Sequence, residues 1–392
     1  MNNARLNNEF DNRTLPFSCV LVAAVFFLVL SQAIIIRFPP VFTQVFRPAI
    51  VFFLLIRMVQ RGQLEFPARR TALIAAIYCI LVLLLNPINS DEIMSGLTTS
   101  LYLLMFVAVT GIAWNKRESS FIVEAVFWGT FVCAVAVMLS NDITNLHTGV
   151  DGDIYIFGVP MNRNKNAYAF AIGVVLGIVF MARNRGLKRL LFTLMTGMMG
   201  FCLMYSQCRG AFLCTSLGIF TLIGVELLKL RRRNSAKAFM YAILVVISCI
   251  VAYYLIKNSQ FSRLIDGEST SGRDIGIKHA WQLFLNSDLF GKIFGNGFGY
   301  EEAHSDTIGA HLVYATFLVS SGLVGCMLII LMFVKTFARI KGAVPYALFA
   351  VALSRTFFEG LDYYIYIPLI LSVISYNYMR LSGRTAYELF EK

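Results

Sequence analysis

Apolar runs of about 18 residues or more recur along the whole chain, and each is enough to cross roughly 30 Å of hydrocarbon as a helix. The chain is 58% hydrophobic and 14% charged, with a mean hydropathy of +0.69, which is far from the balance of a soluble globular protein. The pattern predicts an all-α polytopic membrane protein. Residues 1–392 form a single integral membrane domain, because no stretch is long and polar enough to make a separate soluble one.

Spans are expected at roughly 17–36, 42–59, 72–86, 96–114, 121–139, 166–182, 189–205, 210–229, 238–256, 311–334, 343–358 and 362–379, about twelve transmembrane helices in all. The first run is longer than a signal-peptide core and lacks a small-residue cleavage site, so it reads as a retained span. The eight cysteines mostly sit inside apolar runs and show no CxxC spacing, which suits small packing residues.

The net charge of +12 would suggest nucleic acid in a soluble protein, but here topology accounts for it and no nucleic-acid partner is expected. Basic clusters at Arg57/Arg61/Arg69/Arg70, Lys116/Arg117, Arg183/Arg185/Lys188, Lys229 to Arg233 and Lys335/Arg339/Lys341 occupy alternate connections. Those loops are expected to face the cytoplasm. The intervening loops, including the two longest at about 140–165 and 257–310, hold most of the acidic residues outside the termini and are expected to face outward. An even span count puts both termini in the cytoplasm.

Some cations run against this bias. Arg163 and Lys165 in "MNRNKNAYAF", Arg209 in "YSQCRGAF", Arg273 in "STSGRDIGIKHAW" and Arg355 in "ALSRTFFEG" fall on the outward side, as do His147, His279, His304 and His311. Cations placed near or inside a membrane face a cavity or an anionic partner, or snorkel to lipid phosphates. The 257–310 loop carries a predicted amphipathic helix with Ile275, His279 and Leu285 at helical spacing. Gly295, Gly297 and Gly299 follow it as a flexible turn, since no strand or acidic partner makes them a dinucleotide fingerprint.

No HExxH pair and no GxSxG elbow is present, so neither a metal site nor a serine nucleophile is expected. What is left is a set of arginines plus a histidine on one membrane face. Guanidinium is a permanently charged, forked partner for phosphate oxygens, and a histidine of near-neutral pKa can take a proton from an attacking hydroxyl. The pair suits transfer from a diphosphate-linked donor.

These stretches resemble a known family. "AHLVYATFLVSSGLVG" fits the His-x10-Gly-x2-Gly pattern (His311, Gly322, Gly325) of the O-antigen polymerase and O-antigen ligase superfamily. "CRGAF" is similar to its Ser-Arg-Gly-Ala helix start, "SGRDIGIKHAW" to its Gly-Arg loop followed by a tryptophan, and "MNRNKNAYA" to its Asn-rich start of an earlier span. The resemblance covers about residues 155–335. Two positions depart from the pattern: Leu312 stands where the family commonly has Asn, and Cys208 where it has Ser.

The resemblance implies a metal-independent, inverting, GT-C-like glycosyltransferase without cofactors, in a bacterial inner membrane with its active site on the periplasmic face. The implied donor is an undecaprenyl-diphosphate-linked glycan; the acceptor is another lipid-linked glycan for a polymerase or lipid A-core for a ligase. Carried over, Arg209 and Arg273 hold the diphosphate and His311 is the general base, with His304 as the second candidate. Topology adds Arg163, Lys165 and Arg355 as phosphate or sugar contacts, and Tyr300 near the outer face as a ring that could stack on a sugar or anchor at the interface. Polymerase is the first expectation and brings a chain-length regulator with it. Ligase is the alternative, and a transporter or flippase of an anionic solute, marked by internal repeats and paired broken helices, is the third.

Overall fold

The computed structural model describes residues 15–31, most of 73–84, 93–141 except 113 and 115, 154–156, 159–161, 163–233, 273–297, 300, 313–357 and 367–375, with scattered positions in 53–56 and 236–257. In chain order the elements are α1 (Phe17–Ser31), α2 (Ile93–Gly111), α3 (Lys116–Ser140), β1 (Ile154–Ile156), β2 (Val159–Met161), α4 (Arg163–Arg183) and α5 (Gly186–Tyr205). They continue with α6 (Arg209–Arg233), α7 (Arg273–Asn286), α8 (Leu289–Phe294), α9 (Val313–Arg339) and α10 (Ala343–Arg355). Residues 367–375 are also helical.

Five helical stretches among the described residues are by length and composition long and apolar enough to cross a membrane: Arg117–Ser140, Asn166–Arg183, Gly186–Tyr205, Arg209–Arg231 and Tyr314–Arg339, the last of which is interrupted at Gly322. Phe17–Ser31, Ser100–Gly111 and Ala343–Arg355 are shorter apolar helices. Their exposed faces are apolar too, as with Leu187, Leu190, Leu191 and Leu194 on α5. A water-soluble protein does not present such faces at this scale, and the chain is an α-helical membrane protein. The expected spans at 42–59 and 238–256 lie largely outside the described residues, and of the one at 362–379 only residues 367–375 are described.

At the centre is α4, nearly all of whose residues from Asn166 to Val179 are buried. Its two faces have different partners. A Cβ on Gly173 would meet Thr130 of α3 and Met199 of α5, and one on Gly177 would run into Thr196 of α5, so the bare glycines let these backbones approach. The opposite face, through Val175, meets Gly218 of α6, which in turn touches Ala347 and Val351 of α10. Helix α1 packs on α3 with Gly129 against the backbone of Phe27. The alternating helix directions bring the starts of α3, α5 and α10 and the ends of α4, α6 and α9 to one end of the bundle. That end carries the basic residues Lys116, Arg117, Arg183, Lys188, Arg231 and Arg339.

Two features depart from the expected helices. Residues 154–156 and 159–161, inside the expected 140–165 loop, form an antiparallel two-stranded ribbon pairing Ile154 with Met161 and Ile156 with Val159, so the described residues are all-α apart from this ribbon. The second departure concerns the expected single span at 311–334. Helix α9 breaks at Gly322, whose φ of 62° and ψ of −166° lie outside the helical region. Cys326 Sγ lies 3.6 Å from the Tyr314 carbonyl oxygen, 12 residues earlier, whereas that length of unbroken helix would rise about 18 Å. The 313–321 half therefore folds back against 323–339.

The break is filled from the preceding loop. Asp288 caps α8 by accepting from Gly291 N at 2.6 Å, and beyond the helix Asn296 N and Gly297 N donate to the Val319 and Ser320 carbonyls at 2.9 and 3.0 Å. These are carbonyls that the end of the 313–321 helix leaves without partners. Gly295 (φ 92°) and Gly297 (φ 90°) adopt left-handed conformations that glycine alone takes easily. Any Cβ on Gly295 would strike the Ser320 backbone, and one on Gly322 would strike Ile293 and Gly295. The expected flexible glycine turn is instead, at Gly295 and Gly297, a docked backbone contact. From the other side Tyr78 pins the break, its hydroxyl 3.0 Å from Ser321 Oγ and its ring stacked on Phe317 at 5.7 Å.

Helix α7 completes this small unit. It buries Ala280 and Phe284 against Val319, with Leu283, Tyr300, Ala315 and Leu318 packed around them. On this helix Leu285 and Trp281 are half exposed, and Leu289 at the start of α8 is more so. The helix thus turns Ala280, Leu283 and Phe284 to the protein and Trp281 and Leu285 outward.

Candidate functional site

The end of the bundle opposite the basic cluster collects the polar side chains that apolar helices do not ordinarily bury. Arg355 closes α10 and is 1% exposed. Its guanidinium carbon stands 4.1 Å from the centroid of the Tyr168 ring, itself buried near the start of α4. A desolvated cation over an aromatic face gains about 2 kcal/mol. Burial of a guanidinium, which stays charged in a protein, costs several kcal/mol, and such groups mark functional sites in membrane proteins.

Asn166, one turn into α4, is fully buried. Neither its Nδ2 nor its Oδ1 has a hydrogen-bond partner among the described residues. It lies on the face of α4 that carries Gly173, toward α5, while Tyr168 lies on the face toward α6 and α10. The polar groups thus bracket the head of α4.

Arg209 opens α6 at the same end. Measured along the helices from the contact of Gly218 with Val175 and Val351, Arg209, Tyr168 and Arg355 all stand toward this end. The turn leading into Arg209 is buried at Ser206, Gln207 and Cys208. Gln207 takes a φ of 49°, a left-handed conformation that costs a residue with a side chain about 1–2 kcal/mol. Ser206 holds the turn by donating to the Leu203 carbonyl at 2.6 Å and accepting from Cys208 N at 3.4 Å. The hydroxyl at Ser206 thus ties the turn to the helix start at Arg209.

The start of α9 meets the same corner. Thr356, next to Arg355, donates to the Tyr314 hydroxyl at 3.3 Å, and Tyr314 packs on Phe357 with ring centroids 5.6 Å apart. Tyr314 follows His311 by three positions in sequence. His311 itself, with His304 and His147, lies outside the described residues.

Of the residues expected from sequence, Arg209 and Arg355 stand at this end, and Arg163 and Lys165 belong to the first turn of α4 there. Arg273 is the first residue of α7, in the unit docked on the α9 break. Tyr300 is half-buried in that unit, packed against Ala280, Phe284 and Val319. His279, the histidine within the described residues, also sits on α7, and its Nε2 is buried with no hydrogen-bond partner among them. Sequence reading missed Asn166 and Tyr168, although "NKNAYA" contains both; a polar pair in the first turns of a buried helix was the available signal. Among the described residues no three of His, Cys, Asp and Glu come together to hold a metal. No known family model and no curated protein matches this chain.

Proposed function

We propose that the protein is a membrane-embedded glycosyltransferase that polymerises undecaprenyl-diphosphate-linked oligosaccharide repeat units of a surface polysaccharide, inverting and metal-independent, at the periplasmic face of a bacterial inner membrane. The observation that carries this reading is the buried Arg355 stacked on Tyr168 at the end of the bundle where Arg209 opens α6. Two permanently charged forks at the head of three packed helices suit a membrane-anchored diphosphate. The basic residues gathered at the other end support a cytoplasmic orientation for that end under the positive-inside bias, with about twelve spans and both termini in the cytoplasm.

In this mechanism Arg209, Arg273 and Arg355 bind the diphosphate. His311 takes the proton of an acceptor hydroxyl, the freed oxygen attacks the anomeric carbon, and the bond from that carbon to the lipid diphosphate breaks. The departing diphosphate carries away the electron pair and its charge is held by the arginines. Parallel complementation of polymerase-null and ligase-null strains tests the acceptor. Restored long chains in the polymerase-null strain support the proposal; rescue of only the ligase-null strain reassigns the acceptor to lipid A-core.

One observation favours a second reading. Broken helices are the binding elements of many transporters, and α9 is broken at Gly322. Here the freed carbonyls are taken by Asn296 and Gly297. Uptake of a polyprenyl-linked glycan into proteoliposomes, without elongation, would favour transport.

A further inference from the structure

The proposed reaction leaves one costly group at its own site without a task. Asn166 is fully buried, and neither its Nδ2 nor its Oδ1 has a hydrogen-bond partner among the described residues. A buried carboxamide in that state is expensive, and a protein that keeps one has a use for it. Asn166 precedes Tyr168 by two residues, about 3 Å along α4. It therefore stands at the height of the ring on which Arg355 is stacked, on the other face of the helix.

The packing of α4 on α5 shows what lies level with it. Gly173 faces Met199 and Gly177 faces Thr196, so the two helices run antiparallel. Seven residues from Gly173 back to Asn166 rise about 10 Å, and seven residues forward from Met199 rise equally far to Ser206. Asn166 is thus level with the buried turn Ser206–Gln207–Cys208, which holds Gln207 at φ 49° and leads directly into Arg209. Backbone strain of this kind is found at ligand clamps and switch regions.

The chemistry of the side chain selects its partner. A carboxamide offers two donors on Nδ2 and an acceptor at Oδ1. Ionised phosphate oxygens only accept, so a diphosphate could satisfy the nitrogen and would leave Oδ1 unpaired. Two adjacent hydroxyls of a sugar ring satisfy both atoms, one donating to Oδ1 while the other accepts from Nδ2.

We infer that Asn166 reads the donor's first sugar, pairing with two adjacent ring hydroxyls while the arginines hold the diphosphate; this rests on the lipid-linked donor proposed above. That sugar is bonded directly to the diphosphate, so its reader must neighbour the cations, as Asn166 does. Because the amide is enclosed, the sugar reaches it as the strained turn at Gln207 gives way, and the same movement repositions Arg209.

The test is retention of two lipids by the purified full-length protein, read by native mass spectrometry from detergent: a polyprenyl diphosphate carrying one glucose, and the same polyprenyl diphosphate without it. The wild type should prefer the glucosylated lipid, and Asn166→Ala should lower the ratio of the two by roughly tenfold, the scale for two lost hydrogen bonds. A change that only loosened the helix head would weaken both lipids together and leave the ratio unmoved, which would overturn the inference. So would a wild type that retains both lipids equally. If the alanine variant does not fold, Asn166→Leu, which fills the volume without polar atoms, decides by the same ratio. A wild type that retains neither lipid would instead bring down the donor reading, and this inference with it.

Discussion

The α3–α4–α5–α6–α10 bundle and the unit formed by α7, α8 and residues 313–321 are held by different means. In the bundle, side chains interlock around glycines that bring helix axes together, as Gly177 does beneath Thr196, and the backbone stays regular. In the smaller unit the cohesion comes from irregular backbone: Asn296 and Gly297 donate to Val319 and Ser320 across the break at Gly322, and the apolar cluster beneath is only Ala280, Phe284 and Val319 with their neighbours. A large regular core gives stability that many small changes erode, whereas a small irregular contact opens when one or two positions fail. The proposed site takes its arginines from both, Arg209 and Arg355 from the bundle and Arg273 from the docked unit.

The largest expected effect is on the bundle side of that site. Arg355→Ala should lower transfer by roughly 10²–10³-fold, the scale for losing one positioned donor to a developing charge, while the protein still inserts. Arg355→Lys keeps the charge but not the planar stack on Tyr168, and should recover only part of the loss. A radiolabelled elongation assay in membranes, normalised to inserted protein, reads both. Equal activity of all three proteins would detach the buried cation from function.

Gly322→Val comes next and addresses the smaller unit alone. A β-branched residue at φ 62° is strained by about 1–3 kcal/mol, which would raise the open population of the unit about 5- to 150-fold. A cysteine placed at Val319, a position that is fully buried, should then react correspondingly faster with a hydrophilic maleimide, while the global melting temperature changes little. If melting falls and labelling does not change, the two regions are one cooperative body and the contrast between them fails.

Gly177→Leu is the matching insult to the bundle. The new side chain runs into Thr196, and overpacking of this kind costs about 1–3 kcal/mol, so global melting should drop without faster labelling at position 319. The smallest effect belongs to Tyr78→Phe, which deletes the hydroxyl contact to Ser321 and should weaken the docked unit by about 1 kcal/mol, measured by the same labelling rate.

The sequence made the bundle readable and the docked unit much less so. Spans 121–139, 166–182, 189–205 and 210–229 were visible because each is a mostly apolar run with Lys or Arg at or near one end, and α3 to α6 fall on them. The break in α9 was not, because Ser320, Ser321 and Gly322 sit within a run apolar enough to span. What turns the chain there is a tertiary contact from Gly295 to Gly297, and hydropathy carries no record of it. The ribbon at 154–161 is a local feature, with β-branched Ile154, Ile156 and Val159 around Phe157 and Gly158, and was legible in principle. Arg209 and Arg355 were identifiable as cations against the charge bias. Their setting was not, since the stack of Arg355 on Tyr168 joins residues far apart in the chain, and the burial of the Asn166 amide depends on how α4 is packed.

The most direct measurement is binding of a polyprenyl diphosphate to the purified protein, followed by native mass spectrometry from detergent. The account predicts that the wild type retains the lipid through its diphosphate, in preference to the polyprenol of the same length, and that Arg209→Ala and Arg355→Ala each lose that preference. Equal retention of diphosphate and alcohol, or full retention by both variants, would contradict it.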